Sequence, residues 1–111
     1  MAERRRSIHT GHRQRVKDEF SARGLAGWPD HRVLELLLYY AIPQGDVNGL
    51  AHELVERFGS LAGVLDAAEE ELCRVPGVGQ HTAVLLKLIP AAGARYLQLS
   101  LIHISEPTRR S

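Results

Sequence analysis

The sequence has one cysteine, one tryptophan and one methionine. A lone thiol, Cys73, excludes an internal disulfide framework and any four-cysteine zinc or iron–sulfur site within the chain. Aromatic residues make up 5% of the chain, so its core must be aliphatic. No apolar run approaches the ~18 residues of a membrane span, and the opening Met1-Ala-Glu-Arg-Arg-Arg6 lacks the apolar stretch of a secretory signal. A cytoplasmic location, no membrane partner and no cofactor are therefore expected. Charge of one sign is also lacking: 14 Lys and Arg face 13 Asp and Glu, net +1. The molecule as a whole is not a polycation suited to nucleic acid.

What is present is the balance of a soluble globular domain, 44% apolar and 24% charged over 111 residues. The charge is uneven. Residues 1–32 carry eight basic and four acidic groups, and residues 33–111 carry six and nine. Arg4, Arg5, Arg6, Arg13, Arg15 and Lys17 form a basic arm centred on residues 1–11. Two readings of it stand side by side: it tracks a phosphate backbone, or it is a solvated face at a frayed terminus.

The periodicity predicts an all-α bundle of five to six helices and no strand. A first helix spans about 12–23, with Val16 and Phe20 on one face and Gly24 as its stop. Trp28 beside Pro29 anchors a loop on the core. Asp30 caps a helix over about 31–41 whose run Val33-Leu-Glu-Leu-Leu-Leu-Tyr-Tyr-Ala41 is apolar nearly all round, marking it as the centre of the core. Asp46 caps a helix near 47–58 closed by Gly59, and Ser60 caps a short one. Glu69, Glu70 and Glu71 crowd the first turn of another, where carboxylates suit the positive end of the helix dipole. Cys73 on that helix is expected to be a small buried hydrophobe. A longer helix starts near 80, with Ala83, Val84, Leu86, Leu88 and Ile89 available to the core, and Pro90 should kink it.

Residues 99–111, Leu-Ser-Leu-Ile-His-Ile-Ser-Glu-Pro-Thr-Arg-Arg-Ser, resemble a translated sequencing-library adaptor, the mosaic end recognised by a transposase. The tail is accordingly set apart from the fold. Without it, residues 1–98 hold twelve basic and twelve acidic groups. The natural chain is then expected to continue past Gln98.

The chemistry concentrates in Leu72-Cys-Arg-Val-Pro-Gly-Val-Gly-Gln-His-Thr-Ala-Val-Leu-Leu-Lys87. It resembles a helix-hairpin-helix motif over about 69–89. Gly77 and Gly79 allow a tight turn at positive φ and a close approach. The backbone N–H groups of the Pro76-Gly-Val-Gly79 hairpin, from Gly77 onward because Pro76 has none, and of Gln80, His81 and Thr82 would then meet a phosphate, helped by the helix dipole. Val78 points inward, Thr82 adds a hydroxyl, and His81 or Lys87 adds charge. Such contacts read backbone rather than bases. The competing reading is a plain turn between helices. Residues 60–98 carry Arg74, Lys87 and Arg95 against Asp66 and three glutamates, which disfavours DNA unless the glutamates face away.

Residues 9–97 as a whole resemble the N-terminal helical domain of the bacterial RadC family, also called UPF0758. The resemblance rests on His9-Thr-Gly-His-Arg-Gln-Arg-Val16, Asp30-His-Arg-Val-Leu-Glu-Leu-Leu-Leu-Tyr-Tyr-Ala-Ile-Pro43, Asp46-Val-x-x-Leu-Ala51, Arg57-Phe-Gly-Ser-Leu61, Glu70-Glu-Leu72 and the Pro-Gly-Val-Gly hairpin, in that order. It implies a domain at 12–98 in a protein described as DNA repair, followed by a JAB/MPN metalloprotease-like domain with a His-x-His and Asp zinc site. Nothing after Leu97 supplies that site, so no hydrolase activity is expected of this chain. Gln44-Gly45 stand where the family often carries arginines, which weakens any phosphate role for that loop.

Three functions follow. A non-catalytic, sequence-independent module would bind duplex or branched DNA. A protein-interaction module would serve as scaffold for the downstream domain without touching DNA. A base-excision glycosylase of the endonuclease III type would need a lysine where His81 stands and an aspartate that Ala83–Leu97 lacks. His9 and His12, three apart, suit metal ligation, but with no third ligand fixed nearby they read as polar packing. His31 and His52 read as surface residues.

Overall fold

The computed structural model describes the backbone of residues 2–110 and the side chains of residues 11–101. Six helices make up the described chain, with no strand: α1 (Ala2–Arg23), α2 (Asp30–Ala41), α3 (Asn48–Phe58), α4 (Leu61–Asp66), α5 (Glu69–Cys73) and α6 (Gln80–Arg110). The expected all-α bundle is what forms. α2 lies at its centre and touches α1, α3, α4 and α6. Leu34 and Leu38 are fully buried on it, with Leu36 and Tyr39 nearly so. α3 adds Ala51 and Leu54, α4 adds Val64, and α6 adds Ala83 and Leu86.

Local chemistry sets the helix ends. Gly24 and Gly59 sit at φ +75° and +91°, and their amides close α1 and α3 onto Phe20 O (2.7 Å) and Val55 O (2.8 Å). Asp46 accepts from Asn48 N at 2.9 Å and Ser60 Oγ from Gly63 N at 3.0 Å. Asp30 departs from expectation. It is the first residue of α2 rather than its cap, and its carboxylate accepts from Leu61 N at 2.9 Å, so it caps α4 across the fold. At the far end of α4, Lys87 of α6 donates to Leu65 O at 3.2 Å.

Other expectations are corrected. α1 begins ten residues before position 12. Phe20 is 44% exposed while Val16 is buried, because α1 lays only a narrow stripe on α2. Val84 and Leu88 are exposed, since α6 turns only its Ala83 and Leu86 side to the core. Pro90 is not among these corrections: α6 runs on past it to Arg110, the ring removing one intrahelical donor without ending the helix. Cys73 is exposed, not buried.

Gly63 is a constraint the sequence did not announce. α4 packs so closely on the end of α3 that a Cβ at Gly63 would collide with the carbonyl oxygen of Phe58. Gly63→Ala should lower unfolding stability by about 2 kcal/mol or more, as overpacking against rigid backbone does, measured by urea denaturation followed by circular dichroism.

Candidate nucleic-acid interface

α5 and α6 are joined by a tight turn. Val78 N bonds to Val75 O at 3.0 Å, which places Pro76 and Gly77 at the two central positions. Gly77 has φ +97°, as a type II turn with a Pro–Gly centre requires. Val75 and Val78 are buried in the same apolar core as Leu72 of α5 and Ala83 and Leu86 of α6. Glu71 Oε1 turns back to accept from Ala68 N at 3.3 Å at the start of α5.

The outer surface of the turn is open. Pro76, Gly77, Gly79, Gln80 and His81 are exposed. Gly79 lies outside the positive-φ region, contrary to expectation, and a Cβ there would meet nothing within 4 Å. The first amides of α6 have no acceptor one turn back, as at every helix start, and Gln80 and His81, which carry two of them, are exposed. Gln80, His81 and Val84 line a shallow depression of about 470 Å³ beside them.

Two expected contributors lie elsewhere. Thr82 is 4% exposed, so its hydroxyl is enclosed rather than presented. Lys87 is half-buried and committed to Leu65 O. Arg74, which ends α5 and is exposed, is the cation adjoining the turn in sequence. Its signal was simple adjacency to Val75-Pro76.

The basic arm also divides. The side chains of Arg4, Arg5 and Arg6 lie outside the described residues. Arg13 donates to Tyr39 O (3.2 Å), Ile42 O (2.8 Å) and Gly45 O (2.6 Å), and its guanidinium stacks 4.7 Å from the Tyr39 ring centre. It satisfies carbonyls at the end of α2 and holds the following loop, rather than reaching out to solvent. Lys17 Nζ rests 4.5 Å from the centre of the Tyr40 ring. Arg15 is exposed and shares a surface groove with Asp18, Glu19, Ala22 and Arg23.

A second polar group sits between α1 and α2. Glu35, inside the apolar run of α2, has a side chain only 4% exposed, and its Oε2 lies 3.6 Å from Nε2 of the half-exposed His12. Glu35 Oε2 and the Tyr39 hydroxyl are both buried without a hydrogen-bond partner among the described residues. Burial, and then the adjacent Glu35 carboxylate, push the Tyr39 hydroxyl well above its ordinary pKa. The His12 ring meets the Tyr39 ring edge-on at 6.4 Å. Among the described residues, no three His, Cys, Asp or Glu groups converge, and no helix is long and apolar enough to cross a membrane.

Two curated relatives align with most of the chain. A UPF0758 protein of Fusobacterium nucleatum is 38% identical over 79 residues, 71% of this chain and 34% of the relative. A UPF0758 protein of Ruegeria pomeroyi is 40% identical over 84 residues, 76% of this chain and 38% of the relative. The aligned part thus spans little more than a third of either relative's length. No family model matches the chain, and no solved structure does.

The two turn glycines differ in what they require. Gly77→Ala should cost about 1–2 kcal/mol, the penalty for an L side chain at positive φ. Gly79→Ala should leave stability within about 0.5 kcal/mol of the parent, as at an unconstrained surface site. Paired urea denaturation curves measure both.

Proposed function

The chain belongs to the UPF0758 family, and from that premise we propose that it is a non-catalytic, sequence-independent DNA-binding module of a RadC-like repair protein. The α5–turn–α6 unit acts as a helix-hairpin-helix motif. Its contact is the backbone of Gly77–Gly79 with the first amides of α6, at Gln80, His81 and Thr82. The observation that carries the reading is the bare outer face of Gly79, empty of any neighbour, at the start of a helix whose dipole favours an anion. A phosphate reaches such a surface without displacing a side chain. The exposed Arg74 supplies charge beside the turn, and the exposed His81 adds a polar side chain. Thr82 contributes its amide alone, and Lys87, Arg13 and Lys17 act as framework. Near-neutral net charge suits uncharged backbone donors, which need no polycation.

The wider setting is part of the same reading. The module works in a cytoplasmic protein, in cis with a JAB/MPN metalloprotease-like domain that supplies any hydrolytic chemistry. A second reading, a protein-interaction scaffold without DNA contact, is favoured by one observation. α6 carries exposed Val84, Leu88, Tyr96 and Leu97, an apolar surface of the kind partner proteins cover.

Titration of the chain against labelled duplex and branched DNA at ~50 mM salt tests the choice, because phosphate-driven affinity is strongest there. The expected result is binding that weakens with added salt, is indifferent to sequence, and falls at least about fivefold in Gly79→Ala, whose fold is intact. Absence of binding at low salt, or affinity unchanged in Gly79→Ala, would sink the hairpin reading and leave the scaffold.

A further inference from the structure

We propose that α1 is a strap that undocks from α2 as a unit while α2–α6 stay folded, and that ionic strength sets how readily it does so. The first ground is a scarcity of apolar contact. Of the side chains from Gly11 to Arg23, only Val16 is buried. None of the half-buried apolar side chains packed against the core comes from α1. α3, a shorter helix, buries Ala51 and Leu54 and packs Leu50, Val55 and Phe58 beside them. A segment with so few apolar contacts opens at a lower free-energy cost than the core it leans on.

The second ground is that charged groups supply the rest of the attachment. The Arg13 guanidinium donates to the carbonyls of Tyr39, Ile42 and Gly45 and lies over the Tyr39 ring. Glu19 pairs with Arg32 at 2.6 Å, both side chains about one-third exposed. Lys17 rests on the exposed ring of Tyr40, and His12 stands beside the buried Glu35. All of these contacts run to α2 or to the loop that follows it. Salt weakens exposed and half-exposed charge contacts and leaves apolar burial largely untouched. Once undocked, a single helix of this length is marginal in water, so its amides lose their protection.

Opening changes what the basic arm offers. While α1 is docked, Arg13 is committed to three carbonyls and Lys17 to a ring. Undocked, both return to solvent as free cations, and the α2 surface under Val16 is bared. The strap thus converts internal bonds into surface charge. Its two states differ at α1 and the end of α2, whereas the hairpin is built from α5 and α6.

The test is amide hydrogen exchange of the full chain, followed by NMR at ~50 mM and ~1 M NaCl. The amides of Val16 to Phe20 should exchange at least about tenfold faster than those of Leu34 to Leu38 on α2. Low urea should barely alter the α1 rates while speeding those of α2, since a local opening exposes little surface. The α1 rates should rise at least about threefold at the higher salt. Arg13→Gln should speed α1 exchange at low salt and shrink its salt response, because one of the screened charges is gone. A merely structural role for Arg13 would leave that response intact. Rates and urea dependence equal in α1 and α2 would make α1 part of the global folding unit and overturn the strap. A salt response that is absent in the parent, or unchanged in Arg13→Gln, would overturn its ionic control. The measurement involves no DNA, so its outcome is separate from that of the DNA titration.

Discussion

The burial of α2 on several sides is the constraint on which the rest of the molecule depends. A fully buried leucine contributes about 1.5–3 kcal/mol relative to an exposed one, and Leu34 and Leu38 are completely enclosed. Because α1, α3, α4 and α6 all lean on this helix, its ends become natural attachment points. Asp30 at its start reaches α4. The carbonyls at its end are gathered by Arg13 from α1. α4, only six residues long, would have little standing alone. It is held by Asp30 at one end and Lys87 at the other, and through it α6 is fixed so that the turn before it faces outward.

Much of this was legible because the signals are local. The apolar run of α2, the stops at Gly24 and Gly59, the Ser60 cap and the inward Val78 follow from periodicity and turn chemistry. What was not legible depends on neighbours distant in sequence. Asp30 looks like a cap, and it is one, but for a helix thirty-one residues away. Thr82 follows the hairpin as a phosphate-binding hydroxyl would, yet lies on the α6 face that packs inward. Lys87 finds a free carbonyl on α4 before it meets solvent. Gly79 reads like Gly77 in the sequence, but only Gly77 carries the unusual backbone. Gly63 is required by a helix–helix approach that no local pattern encodes.

The attachment of α1 differs in kind from the rest of the core. Among its described residues only Val16 is a buried apolar side chain. Its remaining hold on α2 is polar: Arg13 on three carbonyls, Glu19 with Arg32 at 2.6 Å, Lys17 on the Tyr40 ring and His12 beside Glu35. Water competes for most of these groups, the buried Glu35 excepted, so this contact answers to solution conditions more than the leucine core does.

The exposed Cys73 has a practical consequence. It is the only thiol in the chain, it ends α5, and three residues separate it from the Gly77 turn. A fluorophore or spin label attached there would report on that corner from the unmutated protein, with no second site to confuse the signal. The chain thus carries, by composition and by placement, its own address for a probe.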